Sequence, residues 1–429
     1  MQQRYSILVQ QHAHSAGKLS AGPSAPPDAN SAFAATQAAW RFFTNERVTL
    51  LRLVEPLQQV ASQWRQTAPT TWALAIHDWS VLSYPGHRRK TDRKLLGAEH
   101  GHGYDLSSVL LVDGADGSPV APLELSLQTA QAVYSTRTPP PALHASRLDE
   151  VALTMAAVGQ QGLGPQVVHV IDREADSLAH YRDWQAAGHV FLVRADDNRK
   201  VLWQKQELSL AEINQRLQAQ GKFQRSREVS YRGHKAVQHV AETAVTLHRP
   251  AWRHRRKGNE VCNRRVPGDP IELRLIIARV CNEQGKTVAV WYLLTNVPAE
   301  VGAETVALWY YWRWRIESFF KLLKSAGQDA ENWLQENGEA IAKRLLVAAM
   351  ACVVAWKLER ATSVEALSFR AFLIRLSGRQ MKYGKDATAP ALLAGLWVYL
   401  SMLEALEHHT VEELRAMEQH LRFTKPDTG

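Results

Sequence analysis

An acid, a tyrosine and three cations recur at helical spacing in one stretch late in the chain, YYWRWRIESFFKLLK. If this stretch is one α-helix, four of the five share an arc of roughly 60°, and the apolar side chains fall on the far side. They are Tyr310, Arg313, Glu317 and Lys324, with Lys321 beside them. A carboxylate flanked by cations suits a site that holds a metal ion and a polyanion together. An ordinary amphipathic helix would scatter both signs of charge.

Two further acids each follow an apolar run that is typical of a strand. Asp78 lies in ALAIHDWSVLSY and Asp172 in VVHVIDREADS. The predicted order between them is strand, hairpin, hairpin, helix, strand, which would bring the ends of the first and fourth strands side by side. Together with Glu317, the two aspartates could hold a hard divalent cation such as Mg²⁺, with Mn²⁺ as a substitute, because such cations take oxygen ligands.

The spacing Y-x-x-R-x-x-x-E-x-x-x-x-x-x-K resembles the signature of the insertion-sequence-four family of DDE transposases, which includes the transposon-five transposase. The D-R-E-A-D sequence at Asp172 and the hairpin-like VLSY after Asp78 resemble the motifs of that family's other two acids. The resemblance runs from about Phe33 to about Trp356. It implies an α/β fold in which a β-rich insertion interrupts an RNase H-like catalytic core, with helical N- and C-terminal regions.

The resemblance also implies roles for single residues. Asp78, Asp172 and Glu317 would be the catalytic, metal-binding acids. Tyr310, Arg313, Lys321 and Lys324 would grip phosphates beside the cut, and Arg173 and Glu174 would hold Asp172 in its orientation. Trp291, in VWYLLTN, would stack on a flipped base, although a tryptophan on an apolar strand is more often a core residue. Arg194, at the end of FLVR, fits a phosphate contact and a structural ion pair equally well.

Composition and periodicity, together with the family resemblance, divide the chain into six segments. The first is rich in Ser, Pro, Gly and Ala, which offer little to bury, and much of the fifth and sixth has helical spacing. The segments are 1–31, poorly ordered; 32–66, a helical N-terminal region and shortened DNA-binding module; 67–187, the first part of the core; 188–303, the β-rich insertion; 304–360, the last part of the core with the catalytic helix; and 361–429, a helical dimerisation region.

The net charge of +9, from 51 Lys+Arg against 42 Asp+Glu, favours a polyanionic partner. Two basic stretches, HRRKTDRK (87–94) and HRPAWRHRRKG (248–258), are candidates for the path of double-stranded DNA. The three cysteines lack ligand-like spacing, which indicates reduced thiols of a cytoplasmic protein. The resemblance implies a bacterial, nucleoid-associated protein that acts as a homodimer. We expect no membrane segment, because the apolar run 345–356 is shorter than a span of about 20 residues.

Three functions fit these residues. The first is cut-and-paste transposition, in which the enzyme nicks a transposon end, forms and reopens a hairpin, and joins the end to target DNA. The second is a nuclease on the same core, which would need neither hairpin support nor a base-stacking platform. The third is a truncated or decayed copy that binds DNA and inhibits an intact relative.

Overall fold

The computed structural model describes residues 2–14, 29–68, 70–97, 99–143, 146–257, 260–381 and 387–418. The fold is mixed α/β with one large sheet. The chain forms two compact units, each built from separate stretches. One unit comprises Leu50–Val81 and Lys94–Phe319, and the other comprises Met1–Thr49, Leu82–Arg93 and Phe320–Gly429.

The strands have the following bounds. They are β1 (Ala73–Ser83), β2 (Lys94–Leu95), β3 (His102–Asp113), β4 (Pro119–Gln128), β5 (Val133–Ser135), β6 (Val167–Ile171), β7 (Val190–Ala195), β8 (Lys200–Trp203), β9 (Gln206–Ser209), β10 (Gln224–Tyr231), β11 (His234–Leu247), β12 (Ala251–Lys257), β13 (Glu260–Val266), β14 (Ile271–Asn282) and β15 (Thr287–Thr295).

The α-helices have the following bounds. They are α1 (Gln2–His14), α2 (Ala29–Thr44), α3 (Leu50–Thr67), α4 (Arg147–Gly159), α5 (Leu178–Ala186), α6 (Leu210–Ala219), α7 (Ala303–Trp312), α8 (Trp314–Lys321), α9 (Gly338–Arg360), α10 (Val364–Leu376), α11 (Ala389–His408) and α12 (Val411–Glu418).

The large sheet runs in the order β5-β4-β3-β1-β6-β7-β15-β14-β11-β8-β9. Its centre is parallel, because β6 pairs in parallel with both β1 and β7. The run VVHVI that forms β6 is buried along its whole length, as expected for a strand covered on both faces. This buried central strand therefore fixes the position of Asp172, which follows its carboxyl end.

Most strands of the β-rich segment 188–303 belong to the large sheet, and the division of this segment from the core stays a prediction. Its strand β15 pairs antiparallel with β7, and β14 and β11 continue outward from there. Within the described part of the chain, the ribbon of β12 and β13 forms a separate two-stranded sheet. Sequence alternation identified strands here, but it could not show which strand they would join, because pairing depends on distant residues.

The second unit is helical. Its longest helix, α9, carries apolar residues on all its faces and is buried over most of its length. The Asn337 side chain caps the start of α9 by accepting a hydrogen bond from the Ala340 N–H. Composition predicted poor order over 1–31, yet α1 forms and buries Leu8. Residues 15–28 of that segment lie outside the described residues.

Helix α11 is the one helix among the described residues that is long and apolar enough to cross a membrane, judged by length and composition. It is a different segment from the apolar run 345–356 considered from sequence. A third of the apolar stretch within α11 is buried inside the protein. Helix α11 packs on α10, α9 and α1. The core helix of a soluble protein meets the same criterion, which therefore does not distinguish a membrane span from a packed core helix.

Candidate active site

Asp78 lies on β1, and Asp172 directly follows the neighbouring parallel strand β6, in matching register. The pairing of β1 with β6 runs from Ala73 opposite Val167 to Ile76 opposite Val170, and the same offset continued two residues further brings the two acids level. Asp78 accepts a hydrogen bond from the Trp79 N–H at 2.8 Å. Asp172 follows β6 directly and accepts from the Arg173 N–H at 2.7 Å, which caps a short 3₁₀ turn. Both carboxylates are therefore oriented by backbone donors.

The third acid, Glu317, lies on α8. Its Oε1 is 2.7 Å from Nη2 of Arg313, four residues earlier. The same Nη2 is 3.3 Å from Asp172, and Nη1 of Arg313 is 3.2 Å from Asp78. One guanidinium therefore joins all three sequence-predicted acids, and the structure brings the three together around it.

The stretch 310–324 is not the single regular α-helix that its spacing predicts. Helix α7 ends at Trp312 and α8 begins at Trp314, and the N–H of Arg313 donates to the Tyr310 carbonyl three residues back. A π-helical segment, Leu322–Ala326, follows α8. The tighter turn lies at the point where Arg313 enters the acid cluster, and such irregular turns often mark functional positions.

Tyr310 and Arg313 are buried, although the helical spacing places them opposite the apolar side chains. The Tyr310 hydroxyl donates to Oδ1 of Asp172 at 2.8 Å. Burial raises the pKa of Tyr310, with the Asp172 charge adding to the effect, so the phenol stays a donor. The spacing correctly placed both residues near the acids, but it could not show that they would bind carboxylates before any phosphate arrives.

Of the three residues predicted around Asp172, only Arg194 has its side chain near this acid. The side chains of Arg173 and Glu174 have other partners. Nη1 of Arg194 lies 3.8 Å from Asp172, which makes it a second cation beside this acid. The Arg173 side chain is exposed and lies 3.8 Å from Asp196, and Glu174 lies 3.6 Å from Arg147. The expected support of Asp172 therefore comes from the backbone N–H of Arg173 and not from either side chain.

Trp291 is 8% exposed, so it is buried in β15. Its ring lies 5.8 Å from the ring of Tyr310 and 6.5 Å from that of Tyr311, measured between centroids. Trp291 therefore packs behind the tyrosine that binds Asp172. In this arrangement it supports the site from within, and its predicted contact with a flipped base stays a prediction.

Lys321 and Lys324 belong to the helical unit. Lys321 is exposed and has no ion pair within the described part of the chain, whereas Nζ of Lys324 lies 3.5 Å from Glu331. Glu331 also accepts from the Ser83 N–H at 2.8 Å. A predicted phosphate contact by Lys324 would therefore compete with this partner.

Burial and charge affect the two aspartates in opposite ways. Burial raises the pKa of Asp78 to about 6 and outweighs the Trp79 N–H and the Arg313 charge. Burial also acts to raise the pKa of Asp172, but Arg313, the Arg173 N–H and Tyr310 together lower it below its ordinary value. Two close carboxylates whose pKa values are pushed apart are typical of an active site.

The three carboxylates supply oxygen atoms alone, the donor set that Mg²⁺ and Mn²⁺ prefer. They already surround one positive charge, that of Arg313, so the chemistry of the donors fits a divalent cation. As the side chains stand, no group of three His, Cys, Asp or Glu residues in the described ranges has the geometry to hold a metal ion. The cationic position between the acids is filled by the guanidinium.

The family model described as the transposase DDE domain matches residues 73–353, a range that contains all three acids. This chain belongs to that family. Among solved structures, it is similar to the piggyBac transposase in a cryo-EM structure of its synaptic complex with hairpin DNA, at 11% sequence identity and a TM-score of 0.34. The aligned region covers 88% of this chain and 64% of the piggyBac chain, and no curated protein gives a significant match.

Three histidines that were not predicted from the sequence lie in or next to the central strands β1, β6 and β7. Nε2 of His77 and Nδ1 of His169 are 2.9 Å apart, and the ring of His189 lies 5.6 Å from that of His169. Burial lowers the pKa of His77 to about 3 and also lowers those of His169 and His189. The sequence feature that could have indicated this cluster is the presence of His77 and His169 within the apolar runs ALAIH and VVHV.

The structure describes the two basic stretches of this chain to different extents. In HRRKTDRK, Lys90 is buried and donates to the carbonyls of Trp333 and Gln335, and Arg93 donates to that of Lys90. Arg88 and Arg89 are exposed. In HRPAWRHRRKG, the strand β12 pairs with β13, while the side chains at 252–258 lie outside the described residues. Part of the first stretch is therefore structural.

Proposed function

We propose that this chain is the DNA transposase of an insertion sequence, of the insertion-sequence-four type with the Y-R-E-K signature. It would cleave transposon ends through a hairpin and join them to target DNA. One observation carries the proposal. In a chain of the transposase DDE domain family, Asp78, Asp172 and Glu317 meet around one cationic group beside the carboxyl end of a buried parallel strand.

The three acids would hold the divalent metal ions, Mg²⁺ or Mn²⁺. When bound, such ions activate the attacking hydroxyl and stabilise the leaving oxygen of an in-line displacement. The chain's own residues orient the ligands. The Trp79 N–H fixes Asp78, and the Arg173 N–H and Tyr310 hydroxyl fix Asp172. These hydrogen bonds restrict the orientation of both aspartates, which favours catalysis by preorganisation.

An RNase H-like core is the finer reading of the fold. It is supported by the antiparallel β3–β4 pairing on one side of β1 and by the parallel pairs β1–β6 and β6–β7 on the other. Helix α7 also belongs to this unit, and the indole N–H of Trp309 donates to the Gly114 carbonyl at 2.9 Å. The segment β8–β15 would then be an insertion that widens the core sheet.

Double-stranded DNA is the proposed partner, as transposon end and as target. Arg194 would contact a phosphate next to Asp172, and Lys321 and Lys324 would contact further phosphates. Two copies of the chain would hold two ends in a synaptic homodimer, with 361–429 as the dimerisation region. The predicted location is the bacterial cytoplasm, at the nucleoid.

A decisive experiment incubates the purified protein with Mg²⁺ and DNA that carries the ends of its own element. The proposal predicts a nick, then a hairpin, then joined product. Asp172→Asn and Glu317→Gln should abolish all three, since several kcal/mol of transition-state stabilisation is lost at about 1.4 kcal/mol per tenfold in rate. Arg315→Gln, an exposed change on α8, is the matched control and should leave the products unchanged.

The same gel separates the alternatives. Cleaved DNA without hairpin or joined product would indicate a nuclease on the same core. Tight binding of the ends without any cut, in the wild type as in the variants, would indicate a DNA-binding inhibitor. Either result would contradict transposition.

A further inference from the structure

The guanidinium of Arg313 fills the position that a shared metal ion would take. Its nitrogen atoms lie 2.7 Å from Glu317, 3.2 Å from Asp78 and 3.3 Å from Asp172, and its side chain is 5% exposed. Three carboxylates this close would repel one another strongly without a cation between them. Arg313 therefore neutralises the cluster from within the protein.

A buried cation with three anionic neighbours is held firmly. Burial acts to lower the pKa of Arg313, but Asp172, Tyr310, Asp78 and Glu317 raise it above its ordinary value. A divalent cation and this guanidinium cannot both lie among the same oxygens without bringing positive charges into contact. Metal entry therefore requires that Arg313 moves away.

We propose that Arg313 is an internal counter-ion that occupies the acid cluster until DNA draws it onto a phosphate, so that metal binding depends on DNA binding. The inference rests on the proposed function, since it takes the three acids as the metal site. A guanidinium binds phosphate through two parallel hydrogen bonds, as it binds carboxylate, so a phosphate beside the cut is a suitable new partner. Arg313 is then a positioning residue that controls access to the cluster.

The surroundings of Arg313 allow the exchange. The residue lies at the junction of α7 and α8, where the regular hydrogen-bond pattern is interrupted. Its guanidinium carbon is 5.4 Å from the ring centroid of Trp314, and that indole is 56% exposed. In the proposed exchange, the side chain would pass along this exposed ring from the acids towards solvent. The cation–π contact would partly stabilise the side chain on the way.

The coupling has a thermodynamic consequence. If DNA raises the affinity for metal by a given factor, metal must raise the affinity for DNA by the same factor. Couplings of this kind are typically about 5- to 150-fold. A site of this kind would discourage metal-dependent cutting in the absence of bound DNA.

The test measures Mn²⁺ binding to the metal-free full chain, from the electron paramagnetic resonance signal of free Mn²⁺. Arg313→Gln should bind Mn²⁺ at least about fivefold more tightly than wild type without DNA. Adding a short DNA duplex should raise the affinity of the wild type and leave that of the variant unchanged. Arg315→Gln removes one exposed charge on α8 and controls for general electrostatics.

Asp172→Asn in the Arg313→Gln background identifies the site and should remove the tight Mn²⁺ binding. Equal Mn²⁺ affinity of wild type and Arg313→Gln, both abolished by Asp172→Asn, would overturn the counter-ion role and leave the proposed function standing. Mn²⁺ binding that is absent, or insensitive to Asp172→Asn in every variant, would overturn the metal site itself.

A second measurement covers a variant that folds poorly. Arg313→Lys keeps the charge but replaces the planar fork, which spans several acids, with a single ammonium group. Ligands that bind the folded state raise the melting temperature further as their affinity increases. Mn²⁺ should therefore raise the melting temperature of Arg313→Lys more than that of the wild type. An equal rise in the two proteins would contradict the proposal.

Discussion

The hydroxyl of Tyr310 donates a 2.8 Å hydrogen bond to Oδ1 of Asp172, and the ring behind it packs on Trp291. This contact links the buried side of the sheet to Asp172, the acid that follows the central strand β6. Tyr310 is thus tied to the acid cluster through its hydroxyl, independently of any phosphate it would contact.

Tyr310→Phe keeps the ring and removes this hydrogen bond. Bonds to a charged group are worth about 1.5–3 kcal/mol, so the variant should lose free energy of unfolding of that order at pH 7. Asp172 has a folded-state pKa below its ordinary value, so its stabilisation is present above the unfolded pKa and is lost as the pH falls through the folded one. The difference between the proteins should therefore shrink below about pH 4, as urea unfolding would show. A constant difference across this range would contradict the assignment.

Asp78→Asn should stabilise the metal-free protein at high pH. The pKa of Asp78 is raised to about 6 by burial, so ionising it in the folded protein costs stability as the pH rises through about 6. From a reference value of 3.8, the cost approaches about 3 kcal/mol at pH 8 and vanishes below the unfolded pKa. Urea unfolding in the presence of a chelator at pH 4 and pH 8 measures it.

The matched control for that prediction is Asp269→Asn, a change at an exposed aspartate of the same unit. Its effect on the free energy of unfolding should be small at both pH values. Destabilisation by Asp78→Asn at pH 8 would contradict the prediction. It would mean that the attraction of Arg313 for the ionised Asp78 exceeds the cost of burying that charge. Cleavage activity should be lost in Asp78→Asn whatever its stability, since the proposed metal ligand is gone.

Lys321→Ala and Lys324→Ala should each weaken binding to transposon ends. Removing one phosphate-binding cation should flatten the plot of log affinity against log salt by about one unit of slope. Because Lys324 lies 3.5 Å from Glu331, Lys324→Ala also removes an ion pair, so a thermal melt is recorded alongside. Arg375→Ala, an exposed change on α10, serves as control. Unchanged slopes in both lysine variants would show a solvated charged face.

Trp291→Ala separates packing from base stacking. As a residue 8% exposed, it should cost roughly 3–5 kcal/mol of stability on truncation and reduce nicking and hairpin formation equally. A role in receiving a flipped base predicts a normal first nick and a loss confined to the hairpin. Trp291→Phe, which retains an aromatic ring, should recover most of the stability. Nick and hairpin yields on a gel, with a thermal melt, decide between the two.

The sequence by itself predicted that Asp78, Asp172 and Glu317 would come together. Apolar runs that end in Asp78 and Asp172 specify strands, since burial of alternating or continuous apolar residues stabilises them locally. The offset between the two acids matches the β1–β6 register, and the 310–324 spacing places Tyr310 and Glu317 near each other. These patterns depend on residues close in sequence or on simple strand order, and both are readable without a structure.

Only the tertiary structure decided what those residues touch. The structure places Arg313 among three carboxylates, two of which come from elements distant in sequence, while its predicted phosphate contact stays a prediction. The pairing of β15 with β7, the burial of Trp291 and the row of His77, His169 and His189 likewise depend on contacts between residues far apart in sequence. No local pattern encodes such contacts, because they arise when strands pair and side chains pack.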